Sequence, residues 1–584
     1  FLAFVNPNFT PLHVVADAEH ISHYQAQVEG EHTLLLDQGQ RLKGAGEESL
    51  RIDISAIPAE LREEEFAPIF AEQAQSDALV FIAAEGAGST LHLGRYWATL
   101  EQHAERGWRV REWSDGHFLG AWDGGTDQLL RVVRYILDNP DPQVPALSGA
   151  EWSGSATVGQ VEGSIAAMQM LHLGDDTAAQ LFVASDAGDQ LLLWDAEVQA
   201  FAAQEPALPS ASQLAVWGAF TDHEHLSLVS QGDSLRHIWL QDGSWHEEAI
   251  AIDGLSAISG LAVAPGQRLL IAGAHGVAVA QRSDGQWTGQ VLPAELPAQL
   301  LAGPVVVGEF TNAGHAELLL LHAHGALAFA ADGDGGWEAG EAVTGAPALG
   351  AIRSAQAVDV DNNGLLDIIA IGEDSGLSLW HNQGEMQWRE RRADAGEIRY
   401  IPNALVRDVI TCDFNNDGRP DLVLLNPGMG PHIFYNRGFM VFGFAEDLVG
   451  GTLPREIYQG QQRGIMADIT GDGAEELVTI LEDGAILRLQ RDTEGYMTMG
   501  AQLRLSSTAA KRGPIMLRAG DEDRPIYAAH VLHPGESLFI GRAEPGPLFL
   551  RWRFPGEGDD WQEDMLIVED GSTPVLITPE GLQQ

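Results

Sequence analysis

Three short stretches place oxygen-bearing side chains at one fixed spacing. They are DVDNNGLLD with Asp359, Asp361, Asn363 and Asp367, DFNNDGRPD with Asp413, Asn415, Asp417 and Asp421, and DITGDGAEE with Asp468, Thr470, Asp472 and Glu476. In each, positions 1, 3, 5 and 9 carry oxygen and position 6 is glycine: Gly364, Gly418, Gly473. Carboxylates this close repel one another, and burying them costs more unless a cation pairs them. Calcium takes about six to eight oxygen ligands, and a glycine at position 6 permits the bend that turns positions 1, 3 and 5 inward. The backbone carbonyl at position 7, on Leu365, Arg419 or Ala474, supplies a further ligand. An EF-hand has glutamate at position 12 and then a helix. Here Ala370, Leu424 and Thr479 stand at that position, and β-like apolar runs such as Ile368–Ile371 follow. A fourth stretch, EFTNAGHAE (Glu309–Glu317), keeps the glycine and the end acids but has Ala313 at position 5.

Such loops need rigid elements on both sides, and the chain supplies them as a repeat. A short apolar strand, an acidic or glycine loop, a second apolar strand, a turn and a third strand recur from Ala166, Gln213, Ile258, Gly303, Ser354, Asp408 and Gly464, with a faded eighth copy from Gly513. Equivalent points lie about 43–55 residues apart, the length of a four-stranded propeller blade. A turn after the third strand then leads to an aromatic, as in Asp242-Gly243 to Trp245 and Asp284-Gly285 to Trp287. Asp-Gly turns a hairpin because glycine takes positive φ without strain. The aromatic is expected to open a fourth, outer strand and to pack between blades. Eight repeats predict an eight-bladed β-propeller over 150–584, with seven blades as the alternative. The tail Met565–Gly581 is a candidate closing strand.

Residues 1–149 do not follow the repeat. HTLLLDQGQRLKG, SLRIDI, DALVFIAA and TLHLGRYWATL read as strands, and IPAELREEEFAPIFAEQ and GTDQLLRVVRYILDNP as helices. The second helix has Thr126 as N-cap and stops at Asn139-Pro140. A small α+β domain is expected, joined through the proline-rich stretch Asn139–Gly149.

The chain has 584 residues, 33 basic and 84 acidic, for a formal charge of −51. That surface repels nucleic acid and anionic membranes, attracts divalent cations and suits a saline setting. No apolar run of about 18 residues is present, so no membrane insertion is expected. Phe1 is not an initiator methionine, which fits a mature end behind a cleaved leader as well as a trimmed chain. The single cysteine, Cys412, excludes an internal disulfide and any paired-cysteine metal site, and reads as a buried structural thiol.

These loops, each followed by LDIIAIG, PDLVLLN or EELVTIL, resemble FG-GAP/VCBS repeats, the calcium-loop blades also found in integrin alpha-chain propellers. The resemblance covers roughly 150–530 and is sharp in three repeats. It implies a β-propeller, usually exported, with calcium in the loops joining the first two strands of a blade.

No HExxH, GxSxG or P-loop motif occurs, and no catalytic residue is assigned. His13, His20 and His23 cluster near the start, and His223 and His225 would share a face if they lay on a strand. Trp113, Asp115, His117, Trp122 and Asp123 would furnish a carbohydrate cleft, against the plainer reading of a core aromatic cluster. The expectation is therefore a secreted or cell-surface propeller, with the periplasm as an alternative, in which calcium is structural. It would act as a binding, adhesion or assembly module for a protein, a glycan or further copies of itself. The alternatives are a polysaccharide lyase or glycoside hydrolase, and a subunit of an extracellular polymer.

Overall fold

The computed structural model describes residues 152–584 apart from 176, 224, 275, 293–301, 312, 332–335, 339, 361–363, 373–375, 385, 402–405, 437–441, 446–452, 454, 495, 521–527, 543–544 and 555–560, together with the backbone of nine earlier strands. Those strands are Val28–Glu29 paired with Arg51–Ile52, Thr33–Leu36 paired with Leu42–Ala45, and a five-stranded antiparallel sheet from Leu79–Ala84 to Leu119–Ala121. The two expected helices of this region, His13, His20 and His23, and the side chains of 111–127 lie outside the described residues.

From Ile165 onward the same unit recurs. Sheets one to six are four-stranded antiparallel meanders that begin with the strands Ile165–Leu171, Leu214–Gly218, Gly260–Ala264, Ala302–Gly308, Ile352–Val358 and Asp408–Cys412. Sheet seven contains Gln461–Ala467, Glu476–Leu481 and Ala485–Arg491, and its fourth strand is Trp152–Gln160, paired antiparallel with Ala485–Arg491. First strands of neighbouring sheets touch in sequence, and Gln461–Ala467 of sheet seven touches Ile165–Leu171 of sheet one. The sheets thus stand around an axis, in the manner of a β-propeller.

Burial explains the repeat pattern. The second strands Gln180–Ser185, Glu317–His322, Asp367–Gly372 and Glu476–Leu481 are buried along their whole length. Each is covered on both faces by neighbouring sheets, so its sequence reads as a continuous apolar run rather than an alternation. Outer strands such as Ser244–Ala249 and Gln286–Val291 are mostly exposed. Asp242 and Gly243 have φ of 51° and 74°, and Asp284 and Gly285 have 51° and 76°, which is the hairpin geometry their sequence requires. The aromatics that follow do pack between sheets: Trp245 Nε1 donates to Pro206 O, and Trp287 Nε1 donates to Glu248 Oε1 across 3.0 Å.

Two expectations are revised. The strand that closes the last sheet comes from the N-terminal side, Trp152–Gln160, and not from Met565–Gly581. Joining the first strand of the series to its last sheet covers the edge of Ala485–Arg491 and ties the two ends of the ring together. The faded eighth unit does not build a meander. Ile515–Gly520 pairs with Ala528–Leu532 and Gly546–Arg553, while Ser537–Gly541 leaves for a second sheet, beside Met499–Leu505. That second sheet also holds Gly571–Thr578, parallel to Met499–Leu505. The two C-terminal sheets share one apolar core with sheets one and two, in which Leu517, Leu550, Trp552 and Ile577 pack with Leu171, Phe182 and Trp217.

Candidate metal centres

The loop of sheet six joins Asp408–Cys412 to Asp421–Leu425, which pair so that Cys412 faces Asp421. Its winding is set by Asn416 and Gly418, with φ of 56° and 80°. Asp413 sits at the hub: Oδ1 accepts from Asp417 N (2.9 Å), and Oδ2 accepts from Gly418 N (2.9 Å) and Gly541 N (2.6 Å). Asp421 closes the loop, accepting from Asn436 N (2.6 Å) and Asn415 N (3.3 Å). Asp417 Oδ2 accepts from Asn415 Nδ2 (3.2 Å) and from Arg419 Nε (3.2 Å), with Arg419 Nη2 at 3.0 Å. Arg419, singled out for its carbonyl, thus also brings a cation to the loop.

The loop of sheet five repeats the scheme. Asp359 Oδ2 accepts from Gly364 N (2.9 Å) and Ala529 N (3.0 Å), and Asp367 accepts from Val360 N (3.0 Å) and Asn382 N (2.7 Å). Leu365 lies between them, and Asp361 and Asn363 lie outside the described residues. In sheet seven, Asp468 accepts from Gly471 N (2.7 Å), Asp472 N (3.1 Å) and Gly473 N (3.0 Å). Glu476 accepts from Ile469 N (2.8 Å) and Thr470 Oγ1 (3.2 Å), and Asp472 from Ala474 N (3.1 Å). Arg488 Nη2 also reaches Glu476 Oε1 at 2.5 Å, and both side chains are buried.

The fourth stretch pairs its first acid with an arginine. Arg553 Nε donates to Glu309 Oε2 at 2.7 Å, and its Nη2 donates to Oε1. Glu317 accepts from Phe310 N and Thr311 N, as the closing acids of the other three loops accept from backbone amides. Sequence reasoning missed this pair because Arg553 lies 244 positions away.

Burial dominates the electrostatics of sheet six. It lifts the Asp413 carboxyl to about 7, with the neighbouring Asp417 adding to the rise. It lifts Glu475 to about 8, with Asp413 adding to it. Asp421 is also held well above the usual carboxylate range by burial and then by Asp417 and Asp413, and burial raises the Cys412 thiol. Glu475, one residue before the expected ligand Glu476, accepts from Asp413 N at 3.0 Å and couples loops six and seven. Asn415 Oδ1 is buried and has no hydrogen-bond partner among the described residues. A hard cation suits this all-oxygen donor set, since it would take up the orphaned amide oxygen and the charge of Asp413 and Asp421 together. Among the described residues no three His, Cys, Asp or Glu side chains converge as a metal-holding group.

The first acid of four loops has a second role. Gly541 N reaches Asp413, Ala529 N reaches Asp359, Arg553 reaches Glu309, and Ser507 N reaches Asp175 Oδ1 in the loop of sheet one at 2.6 Å. All four partners belong to the C-terminal segment. The loops therefore fasten that segment over one end of the ring.

Outside the loops, Ser227 Oγ lies 2.9 Å from His237 Nε2, and His237 Nδ1 lies 2.9 Å from Glu248 Oε1. The order is that of a nucleophile, a base and an orienting acid. Ser227 and His237 are both fully buried (0%), so the relay ties the strands of sheet two together and presents no hydroxyl to a substrate. His223 and His225 lie in the loop before Ser227, exposed and not on a strand, which removes the shared strand face expected of them.

The profile of the FG-GAP-like repeat matches residues 413–479, the span holding loops six and seven. Solved structures of similar shape include BBS1N in complex with ARL6DN, at 8% identity over 58% of this chain and 97% of that one with a TM-score of 0.38. YCF48 bound to D1 peptide matches at 11% identity over 60% of this chain and 98% of that one, TM-score 0.36. PorZ, a surface component of the type-IX secretion system of Porphyromonas gingivalis, matches at 12% identity over 85% of this chain and 66% of that one, TM-score 0.38. None of the curated proteins matches the sequence. Among the described residues no helix is long and apolar enough to cross a membrane. The chain is thus a mainly β protein that carries an FG-GAP-like propeller repeat.

Proposed function

We propose that this chain is a seven-bladed, calcium-braced propeller that works outside the cell as a binding or assembly module. Loop six carries the reading. Within the matched repeat, Asp413 and Asp421 are buried beside an unpartnered Asn415 Oδ1, and an ion is the economical way to pair all three. Asp413, Asn415, Asp417, Asp421 and the Arg419 carbonyl would hold it. Loop five offers Asp359, Asp361, Asn363, Asp367 and the Leu365 carbonyl. Loop seven offers Asp468, Thr470, Asp472, Glu476 and the Ala474 carbonyl, but Arg488 already neutralises Glu476, so its site is the weaker. Loop four uses Arg553 as a built-in cation and takes none.

The ion has no reaction to perform here. It stiffens loops that fasten the C-terminal sheets to the ring. Extracellular calcium modules bind with Kd near 10⁻⁴–10⁻³ M. Such sites fill in an external medium or periplasm and stay empty in cytosol, which favours an exported protein. With calcium at ~10 times Kd, each site stabilises the fold by about 1.4 kcal/mol. The −51 charge makes nucleic acid an unfavourable partner and leaves proteins, glycans or further copies of the chain.

The test is metal analysis of the full chain purified without chelator, followed by thermal melts in calcium, magnesium and chelator at matched ionic strength. Bound calcium at about two to three ions per chain, as the three loops imply, and a melting point raised by calcium alone support the reading. Metal-free protein, or equal protection by magnesium, overturns it.

A further inference from the structure

One of the two C-terminal sheets ends in an edge strand. Its strands stand in the order Ala528–Leu532, Ile515–Gly520, Gly546–Arg553 and Gln562–Val568, so that among the described residues Gln562–Val568 pairs only with Gly546–Arg553. A free edge of this length offers backbone donors and acceptors to another strand. Met565 N donates to Asp564 Oδ1 at 2.8 Å, a contact that an incoming carbonyl can replace.

The strand has two faces. Leu566 and Val568 are buried in the core shared with sheets one and two. Met565 and Ile567 alternate with them and are 47% and 50% exposed. Across the ladder Met565 faces the half-buried Phe549, and Ile567 faces the exposed Pro547. Two further exposed apolar residues, Tyr496 and Met497, come just before Thr498, whose carbonyl accepts from Gly571 N at 2.8 Å just after this strand. Apolar side chains exposed singly need no explanation, but neighbours on one face of a free edge mark a docking surface.

Charge selects the occupant. From Phe554 to Gln584 the chain has no Lys, Arg or His, and acids flank the apolar run: Glu563 and Asp564 before it, Glu569 and Asp570 after it. All four are exposed. Arg551 pairs with Glu563 at 2.6 Å, which leaves Asp564, Glu569 and Asp570 without an ion pair among the described residues. A second copy of the strand fits poorly. Antiparallel self-pairing about Leu566 sets Glu563 of one chain against Glu569 of the other, and parallel pairing in register sets each acid beside its own copy. Like charges so placed destabilise a ladder.

We propose that Gln562–Val568 takes up an extended segment of another protein as an added strand, one with apolar residues at alternate positions and Lys or Arg at both ends. Main-chain hydrogen bonds give such a complex its affinity, and alternate side chains give it specificity. Met565, Ile567, Phe549 and Pro547 receive the apolar positions, and the flanking acids receive the basic ones. The surface is small beside a standard interface of about 1,600 Å², so the complex belongs to the weak, reversible class. The proposal rests on the reading of the chain as a binding module and names the chemistry of its partner.

Fluorescence anisotropy of labelled peptides with the full chain in calcium tests it. The probe is Arg-Lys-Val-Thr-Val-Thr-Val-Lys-Arg. One control has Glu in place of every basic residue. The other keeps the charges but has proline at two adjacent core positions, which removes a strand donor whichever way the peptide faces. The probe is expected to bind, less tightly as salt rises, and each control to bind at least about tenfold more weakly. Ile567→Lys removes an apolar contact and sets a like charge against the guest, so it should also weaken the probe at least about tenfold. Glu569→Lys, beyond the strand, should weaken it as well and carries the test if Ile567→Lys fails to fold. Val198→Lys, in the exposed turn between the last two strands of sheet one, should leave binding unchanged. Absence of binding at ~1 mM probe overturns the proposal. So does a control that binds as tightly as the probe, or a probe indifferent to Ile567→Lys and Glu569→Lys. Self-association of the chain that Ile567→Lys removes assigns the edge to a second copy and overturns it too. Calcium binding that persists through any of these results leaves the broader reading standing, whereas peptide binding by a chain that holds no calcium removes the brace and keeps the docking edge.

Discussion

Arg553 Nε donates to Glu309 Oε2 across 2.7 Å, and neither side chain is more than 3% exposed. The pair joins a C-terminal strand to the loop of sheet four. Breaking a buried pair strands a charge, at a cost of about 3–5 kcal/mol. Arg553→Met should therefore lower the unfolding free energy by about that amount. Combined with Glu309→Gln, the loss should be smaller than the sum of the single losses, because the double variant leaves no lone charge. Denaturant titration of the four chains checks this. Additive losses would mean that the two side chains do not act as a pair.

Asp417→Ala separates the proposed metal ligand from a part-buried ion pair. Asp417 holds Arg419 at 3.0 Å, with side-chain exposures of 9% and 22%, and a pair still in contact with water contributes about 1 kcal/mol. In chelator the variant should melt close to the parent. In millimolar calcium it should lose about 1–2 kcal/mol, the share of one weakened site. Equal losses in both media would assign Asp417 to the ion pair alone.

How far the sequence discloses this molecule depends on the range of the interactions. The repeat units starting at Ala166 through Gly464 were legible because each second strand, such as Asp367–Gly372, is covered on both faces and must be apolar throughout. The turns at Asp242-Gly243 and Asp284-Gly285 were legible because positive φ demands those residues. The partner of the last sheet was not, since Trp152–Gln160 and Ala485–Arg491 are far apart in the chain and their pairing leaves no local signal. Nor was the fate of the unit from Gly513. Its strands have the right composition, but Ser537–Gly541 finds a better edge in Met499–Leu505. In the loops, spacing exposed the acids, whereas Arg553, Arg488 and Glu475 reach them through space.

Calcium at the proposed site in loop six would compete with protons for Asp413 and would sit beside Glu475, which accepts from Asp413 N. The folded-state pKa of Asp413 is raised from 3.8 to about 7, and that of Glu475 from 4.5 to about 8. A raised carboxyl stabilises the fold while protonated, and this contribution is lost as pH climbs from about 4 through 7–8. Without calcium the buried charges then go unpaired. The extra stability conferred by saturating calcium should therefore be small near pH 4.5 and grow steadily to pH 8. Paired melts with calcium and with chelator across that range measure the increment. An increment that is flat with pH, or that shrinks as pH rises, would detach the ion from these two acids.

A second pH window has the opposite sign. His237, clamped between Ser227 and Glu248, has its pKa lowered from 6.5 to about 4, chiefly by burial. A lowered histidine stabilises the fold above the unfolded pKa, because the unfolded chain takes up the proton first. Stability should fall between pH 6.5 and 4 even in saturating calcium, with this residue contributing on the order of 3 kcal/mol by the bottom of the window. His237→Gln keeps one donor and one acceptor but cannot titrate. It should be less stable at pH 7.5, where it repacks the relay imperfectly, and should lose less on acidification than the parent. Chemical denaturation of both chains at pH 7.5, 6 and 4.5 decides it. Parallel acid losses in the two would place the sensitivity at another group, His530 being the next buried histidine with a pKa lowered to about 4.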